Sequence, residues 1–354
     1  MKYVTINKIV QMRIFKIVIL ISCLILELNS FGQSAFDSVQ FFKDEKPLLI
    51  NISTDLSFLL NGNKKGDEIQ KAQFTTQAAN GSPISEEIQL TLRGKMRRSI
   101  CTVPPVKLNF KNGKTSKLTS LGSLKLVNAC RTSVYNQQLL LKEYLVYKIY
   151  NLITEKSFRV RLAKITYEDN AGKKKPVLQD AFFIEDVDAL AKRNKCKELE
   201  NVKINSEVTD RKQMTLVNIF EFMIGNTDWS ILNNHNVKLI KSKKDSLSLP
   251  IPVPYDFDFS GLVNADYAVP DPIMKTESVL SRVYRGFPRT MEELDEAILV
   301  FNQQKDSIYA LINQFEPLST KNRSQMVSYL EEFYKLINKP KEVKYYFIDN
   351  ARTN

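Results

Sequence analysis

Asp228, Asn236, Asp256 and Asp258 are the residues of this chain whose types and spacing best suit chemistry. The first two lie in Ile224-Gly-Asn-Thr-Asp-Trp-Ser-Ile-Leu-Asn-Asn-His-Asn236, which also holds the chain's only His and only Trp, and the others in Pro254-Tyr-Asp-Phe-Asp-Phe-Ser-Gly261. Small polar and acidic side chains that adjoin apolar segments fall at strand and helix ends, where oxygen ligands for a hard cation converge. Kinase-type phosphoryl transfer needs such a set. One Asp orients the accepting hydroxyl, while an Asn a few residues on and an Asp after the next strand pair hold Mg²⁺ against the phosphates. Asp228, Asn236 and Asp256 suit those roles, with Asp258 beside the last and Asn233 or Asn234 as alternatives to Asn236. A hydrolase using Asp228 and Asp256 as paired carboxylates is a second chemistry open to the same residues.

Each residue taken alone has an ordinary reading. An Asp before a Trp is commonly a helix cap or loop residue, and a His that opens a strand more often bonds backbone than acts as a base. The functional reading comes from the two clusters together. Arg282 to Arg289 could grip a phosphate or an acidic substrate, or serve the helix that opens at Thr290, a good N-cap with Glu293 three residues on.

The elements that must position these residues are legible in outline. From Leu48 to Phe110 short alternating apolar runs, broken by Asn61-Gly-Asn63 and Asn80-Gly-Ser-Pro83, predict a mostly antiparallel β region. Tyr135 to Leu152 has helical spacing, with Leu139, Leu140, Tyr144, Tyr147, Ile149 and Tyr150 close to one face. Phe158 to Tyr167 and Pro176 to Ile184 read as two strands joined by a turn at Asn170-Ala-Gly172. Met214 to Ile224 reads as an apolar helix, and Met291 to Phe315 and Lys321 to Ile337 as amphipathic ones. The fold class expected is α+β, a bilobal kinase-like plan with a β-rich N-lobe over 34–185 and a mainly helical C-lobe over 186–354 that carries the acidic motifs.

Met12-Arg-Ile-Phe-Lys16, the apolar run Ile17 to Leu26 and the small polar Asn29-Ser-Phe-Gly-Gln33 have the layout of a secretory signal over 1–33. Met12 opens a tidier signal than Met1. Leu20-Ile-Ser-Cys23 also fits a lipoprotein pattern, so a lipid anchor at Cys23 stands beside ordinary cleavage near Gly32 or Gln33. The apolar run is short for a bilayer span, so no transmembrane span is expected. Export, to a periplasmic, outer-surface or secreted address, follows from this reading. The chain carries +12 and would keep about +9 without residues 1–33. Its Lys and Arg are scattered, with short clusters only at Lys173-Lys-Lys175 and Lys241-Ser-Lys-Lys244, which disfavours nucleic acid. Of Cys101, Cys130 and Cys196, the first two are favoured as a disulfide, since each sits at a strand edge with one excursion of chain between them. Cys and His spacing offers no zinc site.

The segment Phe222 to Gly261 resembles the spore coat protein H (CotH) family of atypical, secreted protein kinases, through its Asn-x-Asp, its His-Asn entering a strand and its Asp-Phe-Asp. Arg93-Gly94, Pro105-Val-Lys-Leu-Asn-Phe110, Lys125-Leu-Val-Asn128 and Phe182-Phe-Ile-Glu-Asp186 are similar to its upstream elements. The likeness spans about residues 85–262 and is dense only at the second acidic motif. It implies a remote protein-kinase-like fold that binds ATP and Mg²⁺ or Mn²⁺. Carried over, Asp228 is the catalytic aspartate, and Asn236, Asp256 and Asp258 bind metal. Lys107, then Lys125, with Arg93 near them, would contact phosphates, and Glu143 would pair with one of them. The acceptor implied is a hydroxyl on a protein or glycan at the cell envelope. Two departures favour an alternative, a catalytically inactive envelope binding module. There is no GxGxxG loop, and Asn236 lies farther from Asp228 than the corresponding residue of protein kinases.

Overall fold

The computed structural model describes residues 41–61, 68–78, 81–94, 96–110, 118, 121–270 and 272–352. The expected signal segment and the Cys23 anchor lie outside them. Ten strands and eight α-helices are found among the described residues. Strands β1 (Leu48–Thr54), β2 (Ile69–Gln77), β3 (Pro83–Leu92), β4 (Val106–Asn109) and β5 (Ser123–Asn128) run on into α3 (Val134–Ile153), β6 (Val160–Asp169) and β7 (Val177–Ile184). Two short helices intervene, α1 (Leu56–Leu60) and α2 (Arg97–Ile100).

These seven strands do not form the open sheet of a kinase N-lobe. They close into a barrel in the order β1-β2-β3-β4-β5-β7-β6. This overturns the bilobal kinase-like plan, although the chain is an α+β mixture. The closing contact is a parallel pairing of β1 with β6 along the whole of β1, from Leu48↔Ala163 to Thr54↔Asp169. Closure removes the two free strand edges that an open sheet would leave to be covered or charged. The interior is filled by every second residue, among them Ile50, Ile52, Phe74, Ile88, Leu90, Leu108, Leu124, Leu126, Ile165 and Phe183.

On one side the outer face of the barrel is buried as well. Val127, Val160, Leu162, Phe182 and Ile184 join a second core with α3 and the later helices. For this reason α3 is buried nearly all round, Lys142 and Glu143 included, where its sequence suggested a single apolar face. Ser133 caps it by accepting from the Asn136 amide.

The remainder comprises α4 (Val187–Arg193), β8 (Cys196–Leu199), α5 (Arg211–Ile224), β9 (Val237–Ser242), β10 (Ile251–Pro254), α6 (Met291–Asn313), α7 (Thr320–Ile337) and α8 (Pro340–Lys344). Strands β10, β9 and β8 form a small antiparallel sheet in that order. Thr290 and Glu293 make a reciprocal capping box at the start of α6. Cys101 and Cys130 are disulfide-bonded and Cys196 is a buried free thiol. Among the described residues no helix is long and apolar enough to cross a membrane.

Candidate functional site

Three chain reversals assemble the acidic residues. Helix α5 stops at Gly225, whose φ of +66° is the left-handed conformation that ends helices most cheaply on glycine. A Cβ there would meet the Tyr329 hydroxyl, which would have to move to admit it. The chain then loops through Asp228 and enters β9 directly after Asn236, while β10 ends directly before Tyr255 and Asp256. Pro254 pairs with Val237, and the Tyr255 amide donates to the Asn236 carbonyl at 2.9 Å. Asn236 and Asp256 therefore flank the same end of one hairpin. Asn234, Asn236 and Asp256 all have positive φ (51°, 53° and 67°). Such backbone is sparsely populated outside glycine and collects at functional sites.

Asp228 is held on every side. Its amide donates to Asn226 Oδ1 at 3.0 Å, and Asn236 Nδ2 donates to its carbonyl at 2.7 Å and to Oδ2 at 3.0 Å. His235 Nε2 meets Asp228 Oδ1 at 2.8 Å, both side chains being partly exposed. The Asp256 amide donates to the buried Tyr147 hydroxyl of α3 at 2.8 Å. The Asp256 carboxylate makes no hydrogen bond or ion pair with any described residue. Asp258 accepts from the Tyr267 hydroxyl at 3.0 Å and lies 3.6 Å from Arg97 Nη1. Burial first, then the neighbouring Asp256, pushes the Asp258 carboxyl upward.

Glu143 does not pair with Lys107, Lys125 or Arg93. Its partner is Arg97 of α2, at 3.2 Å, with Arg97 Nη2 on the Asn128 carbonyl at 2.8 Å. The reason is local. The Cys101–Cys130 disulfide and the Thr102 amide on the Cys130 carbonyl pin the end of α2 beside the end of β5, which delivers Arg97 to both carboxyls. Burial raises the Glu143 carboxyl, against the pull of Arg97. Burial also works against the Arg97 charge, but Tyr267, Glu143, Asp258 and Asp256 outweigh it and Arg97 stays cationic. One guanidinium thus serves two buried acids.

The three expected cations gather elsewhere in the same site. Lys107 and Lys125 are direct cross-strand partners on β4 and β5. Lys125 Nζ stands 4.2 Å from the ring centroid of Tyr255, the residue before Asp256. Burial, then Arg93, Lys238 and Lys107, lower the Lys125 ammonium to about 7, with Asp256 pulling the other way. Lys238 itself pairs with Glu198 at 2.7 Å.

Among the described residues no three His, Cys, Asp or Glu side chains converge as a metal cage. The donor set instead suits a metal that arrives with its ligand. Mg²⁺ is usually bound through one or two carboxylates plus substrate phosphates. Asp256 offers a carboxylate with no hydrogen-bond partner among the described residues, Asp258 is within its electrostatic reach, and Asn236 stands across the hairpin end from it.

Sequence reasoning did not single out Arg97, Tyr267 or Glu221, placed Tyr147 only on the apolar face of its helix, and offered Arg285 only as part of the segment 282–289. Only the disulfide hinted at the first, four residues before Cys101. Arg282, Arg285 and Arg289 all turn inward. Arg282 stacks on Tyr329 and pairs with Glu332, Arg289 pairs with Glu207, and Arg285 bonds the carbonyls of Thr227 and Trp229. Glu221 is buried behind the Asp228 loop, and neither carboxyl oxygen has a hydrogen-bond donor among the described residues. The Asn226 amide stands beside it outside hydrogen-bond geometry. Burial pushes the Glu221 carboxyl up to about 8 from an ordinary value of 4.5, with Asn226 and Arg285 opposing.

The raised Glu221 carboxyl makes the stability of the fold depend on pH. Because the folded state holds its proton more tightly, its contribution is complete below about pH 4.5 and is lost as pH rises to about 8. Over that window the slope approaches about 1.4 kcal/mol per pH unit. In Glu221→Gln that slope disappears. Denaturation of the two proteins from pH 5 to 8 should show the variant gaining on the parent as pH rises. Parallel curves would show that Glu221 is not the buried acid described.

No protein-family model matches the chain, and no curated protein matches its sequence, so the likeness to the CotH family rests on the residues quoted above.

Proposed function

We propose that this site binds the polyphosphate of a nucleotide and transfers its terminal phosphoryl group to a hydroxyl. The supporting observation is the meeting of basic side chains with a carboxylate that has no hydrogen-bond or ion-pair partner among the described residues. Lys107 and Lys125 stand directly opposite each other, and Lys125, with Arg93 near it, is within electrostatic reach of Asp256. Like charges directly opposite weaken a strand pair, and a bound polyphosphate would relieve that repulsion. A divalent metal carried with the nucleotide would neutralise phosphate charge when bound, with Asp256, Asp258 and the Asn236 oxygen as its protein partners.

Asp228 orients the acceptor hydroxyl in this reading. Its carboxylate is aimed by Asn236 and His235 and is itself partly exposed, as a group that meets an incoming substrate must be. Arg97 and the Tyr267 hydroxyl hold Asp258 from behind. The acceptor is a protein or a glycan, and the address is outside the cytoplasm, where a disulfide such as Cys101–Cys130 persists.

A second reading is an inactive nucleotide-binding module. It is favoured by one observation, that both oxygens of Asp228 are already engaged, by His235 and Asn236.

The test is thermal melting of the full chain with ATP and Mg²⁺ or Mn²⁺, beside Asp256→Asn. Asparagine tolerates the left-handed backbone at this position and removes only the charge. Ligand at a hundred times its Kd stabilises by about 2.7 kcal/mol. The parent should show a metal-dependent rise that the variant loses. Equal melting with and without every nucleotide and metal would sink both readings.

A further inference from the structure

We propose that Arg285 is the positioning residue of the Asp228 loop, tying the segment 282–289 to the group that receives the acceptor; its effect on turnover rests on the function proposed above. Side chains hold the peptide groups around Asp228. Its amide is taken by Asn226 and its carbonyl by Asn236. The carbonyls on either side, of Thr227 and of Trp229, both accept from Arg285 Nη1, the second at 2.6 Å. The guanidinium also lies 5.4 Å from the Trp229 ring centroid, close enough for a cation–π contact.

Three side chains therefore fix three successive peptide units, and the direction of the Asp228 carboxylate follows. Two of the three, Asn226 and Asn236, are local to the loop. Arg285 alone arrives from a distant part of the chain, more than fifty residues on. Both carbonyl bonds come from one guanidinium nitrogen, while the planar group also lies against the indole, a contact that an ammonium on a flexible stem does not reproduce in the same way. The Glu221 carboxyl behind the loop is also within electrostatic reach of Arg285. Arg282 and Arg289, on either side, are anchored by Tyr329, Glu332 and Glu207, so the segment that presents Arg285 is itself fixed.

The chain has a single tryptophan, and it sits in this loop. Its emission reports the brace whether or not any nucleotide is turned over. The experiment compares the full-length parent with Arg285→Ala and Arg285→Lys, the second keeping charge and stem should the first fold poorly. Three readings are taken: Trp229 emission with iodide quenching, hydrogen exchange over residues 225–236, and phosphoryl transfer.

In both variants the emission should shift to the red, quenching should increase and the loop amides should exchange faster. Turnover should fall by about 10²-fold with little change in KM for nucleotide, the size of loss expected from a small misplacement of a reacting group. Unchanged emission and exchange in both variants would overturn the brace. Altered emission with undiminished turnover would overturn its positioning role. A parent that shows no turnover removes the proposed activity, and emission and exchange then decide by themselves whether Arg285 holds the loop.

Discussion

Arg97→Met is expected to lower the stability of the fold by about 3–5 kcal/mol, the cost of removing one partner from a buried ion pair. Arg97 is the only cation between Glu143 and Asp258 among the described residues, and all three side chains are at most a tenth exposed. Its loss strands two carboxyls in the second core, and Asp256 adds repulsion to both. The double variant Arg97→Met with Glu143→Met should recover the part of the loss that belongs to Glu143, because an apolar pair replaces an ion pair at little cost, while Asp258 is left with the Tyr267 hydroxyl. The deficit of the single variant should also shrink as pH falls, since protonation then relieves the stranded acids. Urea denaturation of parent, single and double variants at two pH values checks all three points. A single variant as stable as the parent would mean that the buried acids are neutral and the ion pair contributes nothing.

Asp228→Asn should lower phosphoryl transfer by about 10²–10⁴-fold, the range expected when a positioned proton acceptor is lost. The fold should be spared. An asparagine oxygen can still accept from Asn236 Nδ2, and the Asp228 main-chain bonds to Asn226 and Asn236 do not involve the altered atoms. Melting should stay near that of the parent and nucleotide-dependent stabilisation should persist, which separates this outcome from that of Asp256→Asn. Transfer of labelled γ-phosphate to added protein or glycan acceptors provides the readout. Undiminished turnover would remove Asp228 from the chemistry. Absent turnover in a parent that binds nucleotide would favour the inactive module.

The two acidic clusters could be read from the sequence because their spacing is local. Asn236 and Asp256 are brought together by one hairpin, β9 to β10, and a hairpin is specified by the residues within it. Helices α5, α6 and α7 were legible for a similar reason, through apolar periodicity and, at Thr290 and Glu293, a capping box. The partner of Glu143 was not legible. Lys107 and Lys125 are on strands next to the site, as expected, but Arg97 reaches Glu143 only because a disulfide carries α2 across. The Arg-rich segment could be read as a phosphate grip or as support for α6, and its inward turn depended on contacts fifty or more residues away.

By itself, then, the sequence determined the strands of the first half, most of the helices, the cysteine pair favoured for the disulfide and the identity of the acidic residues. Each of these depends on periodicity, turn chemistry or residue type within about thirty positions. The barrel was decided by tertiary structure alone. Alternation along β1 and β6 says which side chains face inward, and it is the same in an open sheet and a closed one. Only the parallel pairing of Leu48–Thr54 with Ala163–Asp169, more than a hundred residues apart, chooses between them, because it joins the two edges that would otherwise remain free.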